Sequence, residues 1–191
     1  MWSRILLAVC STLLISCSSS LKNIKHDEAL IKESGILLTR LISNYPFGIS
    51  IEKATGEKFW LQKQGKNNKS TLIAVSVPSG KYSISEIGWK NKHAKFVDDK
   101  STKFTIEKGK VNYICDLGVY FKLKGKDIFG GEFTPDLRFV LPINLMKDTL
   151  KEFKTKQQKL AEKYSFTYPL ASNCVPSKNK NAQKLLYMLE N

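Results

Sequence analysis

Val111-Asn112-Tyr113-Ile114-Cys115-Asp116-Leu117-Gly118-Val119-Tyr120-Phe121-Lys122-Leu123-Lys124 decides the fold class. Every odd position from Val111 to Leu123 is apolar, while the even ones include Asn112, Asp116, Lys122 and Lys124. Side chains of a strand alternate between faces with period two, whereas those of a helix return every 3.6 residues. The run therefore predicts one strand with an unbroken odd-numbered core face. A slip of one residue would turn that whole face to solvent, so its register is strongly specified. Cys115 is expected to point into the core, and Gly118 to mark a bulge or bend.

The same period spreads outward from this strand. Phe47, Ile49 and Ile51 alternate with Gly48, Ser50 and Glu52, and Ala54-Thr55-Gly56-Glu57 predicts a hairpin turn into Lys58 to Leu61. Ile36 to Ile42 is a dense apolar run of strand-compatible residues, and Gly65 to Lys69 is a polar loop. Thr71 to Val77 is β-branched and closes at Pro78-Ser79-Gly80, read as a type I turn leading to Tyr82 and Ile84. Phe104 and Ile106 precede a second expected hairpin at Lys108-Gly109-Lys110, and Leu137 to Ile143 forms the last strand. The period then changes. Asn144 is placed to cap a helix whose stripe is Met146, Leu150, Phe153, Leu160 and Tyr164, interrupted by Gln157 and expected on the sandwich surface. A short final helix over Ala182 to Leu189 presents Leu185, Leu186 and Leu189. Regularly spaced strands followed by helix predict a mainly β fold: an antiparallel β-sandwich, transthyretin- or immunoglobulin-like, with C-terminal helical additions.

The N-terminus reads differently. Met1 to Arg4 carries one positive charge, Ile5 to Leu14 is apolar, and Ser16 precedes Cys17. That order is a secretory signal over residues 1–16, too short to span a bilayer. Leu14-Ile15-Ser16-Cys17 resembles the bacterial lipobox, which implies that the Cys17 sulfur takes a diacylglyceryl anchor with acyl chains such as palmitate, and that cleavage follows on its N-terminal side. A signal cleaved elsewhere without lipid is the alternative. Residues 17–33 then read as lipidated cysteine and flexible tether, reaching roughly 50 Å if extended, with 34–191 as the sandwich domain and its helical extension. Ala29-Leu30-Ile31 is either a helical turn or the lead into a strand. Ser18 is not the aspartate that resembles an inner-membrane retention signal, so the expected location is the outer membrane, facing the periplasm.

Composition narrows the partners. The chain has 31 basic and 17 acidic residues, formally +14, and signal removal costs only Arg4 among them. Only Arg4, Arg40 and Arg138 are arginines. Positive charge carried by lysine is a solvated point charge rather than the planar fork that reads phosphate and bases, so no nucleic-acid partner is expected. Weak attraction to anionic lipid or acidic polymers fits better. With Cys10 lost and Cys17 acylated, Cys115 and Cys174 remain. In an oxidising envelope they pair as a disulfide closing a loop of roughly 60 residues, or they stay separate as small buried hydrophobes.

Val77-Pro78-Ser79-Gly80-Lys81-Tyr82, followed by Phe104-Thr105-Ile106 and Gly109-Lys110-Val111-Asn112-Tyr113-Ile114, resembles a pattern of small bacterial envelope lipoproteins with a transthyretin-like (prealbumin-like) β-sandwich. The resemblance covers residues 34–143. It implies that the proline-glycine turn initiates a strand and that the Gly109 to Ile114 run is central. Cys115 departs from the small residue common there, as does the basic C-terminal helix, and the resemblance carries no catalytic residues.

Chemistry is sparse. His26 falls in the expected tether and His93 in a lysine-rich loop, neither at ligand spacing from a cysteine, so no metal or cofactor is expected. Asp98-Asp99 reads as a turn rather than a facing carboxylate pair, and Gly65 to Ser70 lacks the pattern of a phosphate loop. Lysines cluster at Lys63/Lys66/Lys69, Lys90/Lys92/Lys95 and Lys122/Lys124/Lys126, either keeping loops and edges soluble or facing an anionic partner. Trp60, opposite Phe59 and Leu61 on its strand, is either a contact residue or packed on a second face; Trp89 follows a similar alternation. The expected protein is a non-enzymatic, lipid-anchored envelope component touching another protein or the envelope. The alternative is a lipoprotein holding an apolar or anionic ligand, under the C-terminal helix for instance.

Overall fold

The computed structural model describes residues 19–20, 24, 30–63, 69–96, 101–124, 134–168 and 173–190. In chain order the strands begin with β1 (Ser19–Ser20), β2 (Ser34–Ser43), β3 (Gly48–Lys53), β4 (Lys58–Gln62), β5 (Ser70–Pro78), β6 (Gly80–Trp89) and β7 (Lys92–Lys95). There follow β8 (Thr102–Ile106), β9 (Lys110–Tyr113), β10 (Asp116–Lys124) and β11 (Thr134–Asn144). Helices α1 (Met146–Lys156) and α2 (Gln158–Lys163), strands β12 (Ser165–Thr167) and β13 (Val175–Pro176), and helix α3 (Lys180–Glu190) complete the chain.

Two sheets pack face to face. The first runs β1-β4-β3-β6-β7, with β8 also on β6, and the second β12-β9-β2-β10-β11-β13, with β5 on β2. Between them lies the main core, with Leu37, Leu41, Val75, Leu117, Val119 and Phe121 from the second sheet meeting Ile49, Ile51, Leu61, Ile84 and Ile87 from the first. The fold is thus mainly β, as expected, but its pairing is mixed rather than antiparallel throughout. Strands β9 and β10 both run parallel to β2, and β1, β12 and β13 each add a short parallel edge.

The strand expected over residues 111–124 is two strands. Val111 pairs with Ile36 and Tyr113 with Leu38, whereas Leu117 pairs with Leu41. One extra residue has therefore entered opposite β2 around Ile114 and Cys115, where Cys115 has φ +139°. An inserted residue exchanges the faces of everything beyond it. Val111 and Tyr113 consequently lie under the helices with Ile36, Leu38, Ala74, Phe153 and Leu160, while Cys115, Leu117, Val119 and Phe121 face the first sheet. Both sets are buried because the second sheet is covered on both sides. Gly118 is not the bulge: a Cβ there would sit 2.8 Å from Leu185 Cδ2, so its missing side chain admits α3. The core face ends at Phe121, and Leu123 beyond it is exposed.

An expected type I turn and an expected hairpin are both crossings between sheets. Pro78-Ser79-Gly80 carries the chain from β5 in the second sheet to β6 in the first, with Gly80 at φ +147°. Lys108-Gly109-Lys110 carries it back from β8 to β9, with Gly109 at φ +68°. The β3–β4 hairpin forms as expected, with Gly56 at φ +92°.

The expected single helix is broken at Gln157, whose φ of −136° separates α1 from α2. Asn144 Oδ1 accepts from the Met146 N–H at 3.2 Å, although the cap position itself is Leu145. Phe153 and Leu160 are fully enclosed against the second sheet, so the helices form a third layer. Part of the segment read as tether is built in as well. Ser19 and Ser20 pair with Phe59 and Trp60 of β4. Ile24 is 3% exposed, and its N–H donates to the Ala74 carbonyl at 2.7 Å.

Candidate functional site

Residues 1–16, Cys17, His26, Lys66, Asp98, Asp99 and Lys126 lie outside the described residues. The remaining expected site residues distribute over the two ends of the sandwich, the outer face of the first sheet, and the helix layer.

One end gathers the β3–β4 turn and both sheet crossings. Ala54 N–H donates to the Lys81 carbonyl, Ser79 N–H to that of Glu33, and Gly109 N–H to that of Ser34. Several lysines here are matched by glutamates: Lys53–Glu57 at 3.6 Å, Lys58–Glu52 at 3.4 Å, Lys110–Glu107 at 2.7 Å, and Lys108 with Glu33. The Lys110 ammonium and the Thr167 hydroxyl, both hydrogen-bonded to Glu107, hold its carboxyl below the usual range.

The opposite end joins residues 43–48, 62–63, 69–70, 89–92, 121–124 and 134–135. Ser43 N–H donates to the Lys69 carbonyl, Asn44 exchanges two bonds with the Phe121 backbone, and Trp89 Nε1–H donates to the Pro135 carbonyl at 3.2 Å. Lys69, Lys90, Lys92 and Lys122 are exposed here, with the Lys69 ammonium reaching the Glu190 carbonyl at the end of α3. Described members of the three lysine clusters thus converge on one end, although Lys95 lies further along β7. Lys124 contributes its backbone to β10; its side chain lies outside the description. Lys63 is a correction. It is 2% exposed, and its N–H donates to the Phe47 carbonyl at 2.9 Å. Burial pushes its ammonium pKa down, and at this exposure the residue is no part of the surface.

Trp60 is half-buried on the outer face of the first sheet. Its indole lies over Gly48 and Gly88, where an added Cβ would come within 2.6 and 2.8 Å of the ring. The glycines are the seat of the ring, an arrangement that lets an aromatic side chain cover exposed backbone. His93 stands beside it, ring centroids 6.3 Å apart, in strand β7 rather than a loop, with Nδ1 2.9 Å from Glu86 Oε1. Gly48→Ala is expected to lift the indole and to cost about 1–3 kcal/mol as an overpacked site. Chemical denaturation, with a red shift of the Trp60 emission read in a Trp2→Phe, Trp89→Phe background, checks this. Trp89 itself is 9% exposed and packs on Phe121 in the main core.

Cys115 and Cys174 sit at disulfide distance, with Cα atoms 6.3 Å apart. This tie fixes the approach to β13 against the bulge that separates β9 from β10.

A buried charge cluster lies between α1 and the second sheet, at residues the sequence reading does not single out. Asp116, at 0% exposure, accepts from the Arg40 N–H at 2.9 Å through Oδ1 and from the Thr149 hydroxyl at 2.6 Å through Oδ2. Arg40 Nη2 is 3.5 Å from Oδ2, and Nη1 is 3.6 Å from Glu152. Burial raises the Asp116 pKa to about 6 against the opposing pull of Thr149 and Arg40. Thr149 and Glu152 belong to α1, so the cluster bolts the helix to the sheet. An open cleft of about 300 Å³ beside it is lined by Arg40, Asp148, Lys151, Glu152, Thr155 and Lys156. The sequence signal for this cluster is an aspartate between Cys115 and Leu117 in the most apolar strand. Among the described residues no three His, Cys, Asp or Glu side chains gather into a metal site. Comparison of the chain with family models, with curated proteins and with solved structures returns no match.

Proposed function

We propose that this protein is an envelope lipoprotein, anchored through acylated Cys17 in the outer membrane and facing the periplasm, whose transthyretin-like sandwich makes protein–protein or protein–envelope contacts without catalysis. The observation that carries the reading is the Leu14-Ile15-Ser16-Cys17 lipobox behind a signal-like segment. Two structural features support it. A cysteine pair at disulfide distance suits an oxidising compartment. Exposed lysines from separate strands and turns meet at one end of the sandwich, as a contact surface for an anionic partner requires. The contact reading is favoured over a ligand held under the C-terminal helices, because Phe153, Leu160 and Tyr113 fill that space.

The test has two arms. Intact mass and membrane fractionation of wild type and Cys17→Ala should show an acyl mass and membrane retention that the variant loses; identical behaviour would overturn the anchor. A photo-crosslinking residue at Asn91 should return the same envelope protein repeatedly in intact cells. Lys92→Glu with Lys122→Glu should cut that yield several-fold, and undiminished yield would overturn the role of the lysine end.

A further inference from the structure

Strand β1 sets a limit on how the domain can stand if Cys17 carries the anchor, a premise taken from the proposed function. Ser19 pairs with Phe59 and Ser20 with Trp60, in parallel. The chain therefore advances along β4 away from the β3–β4 turn, and Ser19 is the end of β1 nearer that turn. Cys17 is two peptide links from Ser19, within about 7 Å along an extended chain. The leash is far shorter than the tether the sequence suggests, since Ile24 is bonded to Ala74 and buried.

We infer that the domain stands on its membrane in one orientation, with the β3–β4 turn end against the lipid headgroups and the lysine-bearing end directed away. Strand β6 has ten residues and runs from one end to the other. At about 3.3 Å per residue the lysine end stands roughly 30 Å from the membrane-facing end. Charge supports this arrangement. Four lysines at the turn end are each paired to a glutamate, which tempers the attraction of that end to a negative surface. The lysine end, several Debye lengths of about 8 Å away, lies outside the field of its own membrane. Its charge is directed toward a partner on the far side.

The competing arrangement turns the molecule over, so that the lysines meet anionic lipid. With β1 paired, Cys17 stays within about 7 Å of Ser19, far short of the roughly 30 Å to the lysine end. Overturning the domain therefore requires peeling β1 from β4; Ile24, held at Ala74 midway along β5, need not let go.

The experiment uses the full, acylated protein in vesicles of phosphatidylethanolamine and phosphatidylglycerol at 3:1, doped with a headgroup-nitroxide lipid. A fluorescent amino acid is placed at Thr55, in the β3–β4 turn, or at Asn91, between β6 and β7, both exposed. Nitroxide quenching is expected to be at least three-fold stronger at Thr55 than at Asn91. Ten Gly/Ser residues inserted between Ser18 and Ser19 lengthen the leash to a coil of about 20 Å, and the two sites should then quench alike. Equal quenching in the uninserted, acylated protein, or stronger quenching at Asn91, overturns the orientation and leaves the anchor standing. Absence of the acyl mass overturns the anchor and the orientation with it.

Discussion

Asp116→Ala is expected to lower the unfolding free energy by about 3–5 kcal/mol, the cost of removing one partner from a buried charged pair. The Arg40 N–H and the Thr149 hydroxyl would both lose their acceptor inside the protein. Arg40 would keep only Glu152, at 3.6 Å and shared with Lys156. Asp116→Asn separates shape from charge. Its amide oxygen still accepts from Arg40, and its NH₂ donates to the Thr149 oxygen in place of the original bond.

The two variants differ in pH dependence. The carboxyl is pushed up to about 6 from 3.8, so the folded protein binds this proton more tightly than the unfolded chain. Stability attributable to Asp116 is then fully present below pH 4 and is lost as pH rises through 6, by roughly 3 kcal/mol for a displacement of that size. The charged and titratable groups around the carboxyl are Arg40, Glu152 and Tyr113, whose own phenol is raised first by burial and then by Asp116. Between pH 4 and 7 the raised Tyr113 phenol stays neutral, and Glu152 lies beyond the guanidinium. Urea denaturation across this range should therefore show a falling contribution in wild type and none in Asp116→Asn. Equally steep profiles for wild type and Asp116→Asn would assign the slope to another group.

What is legible in the sequence is burial, and what is not is the layer in which a residue is buried. Alternation correctly marks Ile49 and Ile51, Leu117 to Phe121, and the stripe through Phe153 and Leu160 as apolar faces. It has no means of marking the insertion at Ile114 and Cys115, because both faces of the second sheet are covered and odd residues are buried on either side of it. For the same reason Pro78 to Gly80 reads as a type I turn and Lys108 to Lys110 as a hairpin: a turn sequence specifies a reversal, not the sheet in which the next strand pairs. Strands β12 and β13 have three and two residues, too few to carry a period. Lys63 reads as a surface lysine because its burial depends on tertiary neighbours that no local pattern specifies; its N–H, for one, donates to Phe47, sixteen positions away. Asp116 is visible as a polar residue in an apolar run, but its partner Thr149 comes from a helix whose docking site no local pattern specifies.

Breaking the Cys115–Cys174 tie is the other large effect. The residues are 59 apart in sequence, and a loop of that size constrains the unfolded chain by about 4 kcal/mol in the chain-entropy model. Cys115→Ser with Cys174→Ser should therefore lower the melting temperature by roughly 8–15 °C for a domain of this size. Wild type held in reductant should match the double variant. Two thiols alkylated in the native, unreduced protein would remove the basis for this expectation. The choice of replacement adds a sharper test. Cys115 holds φ +139° at the bulge, a conformation glycine adopts freely and serine does not. Cys115→Gly with Cys174→Ser loses the same cross-link but relieves a backbone cost of about 1–3 kcal/mol. It should therefore be more stable than the double-serine variant, offset in part by the greater freedom of glycine in the unfolded chain. If the double-serine variant is the more stable, the bulge is not held at positive φ in solution, and the exchange of faces between β9 and β10 must be accommodated elsewhere along the strand.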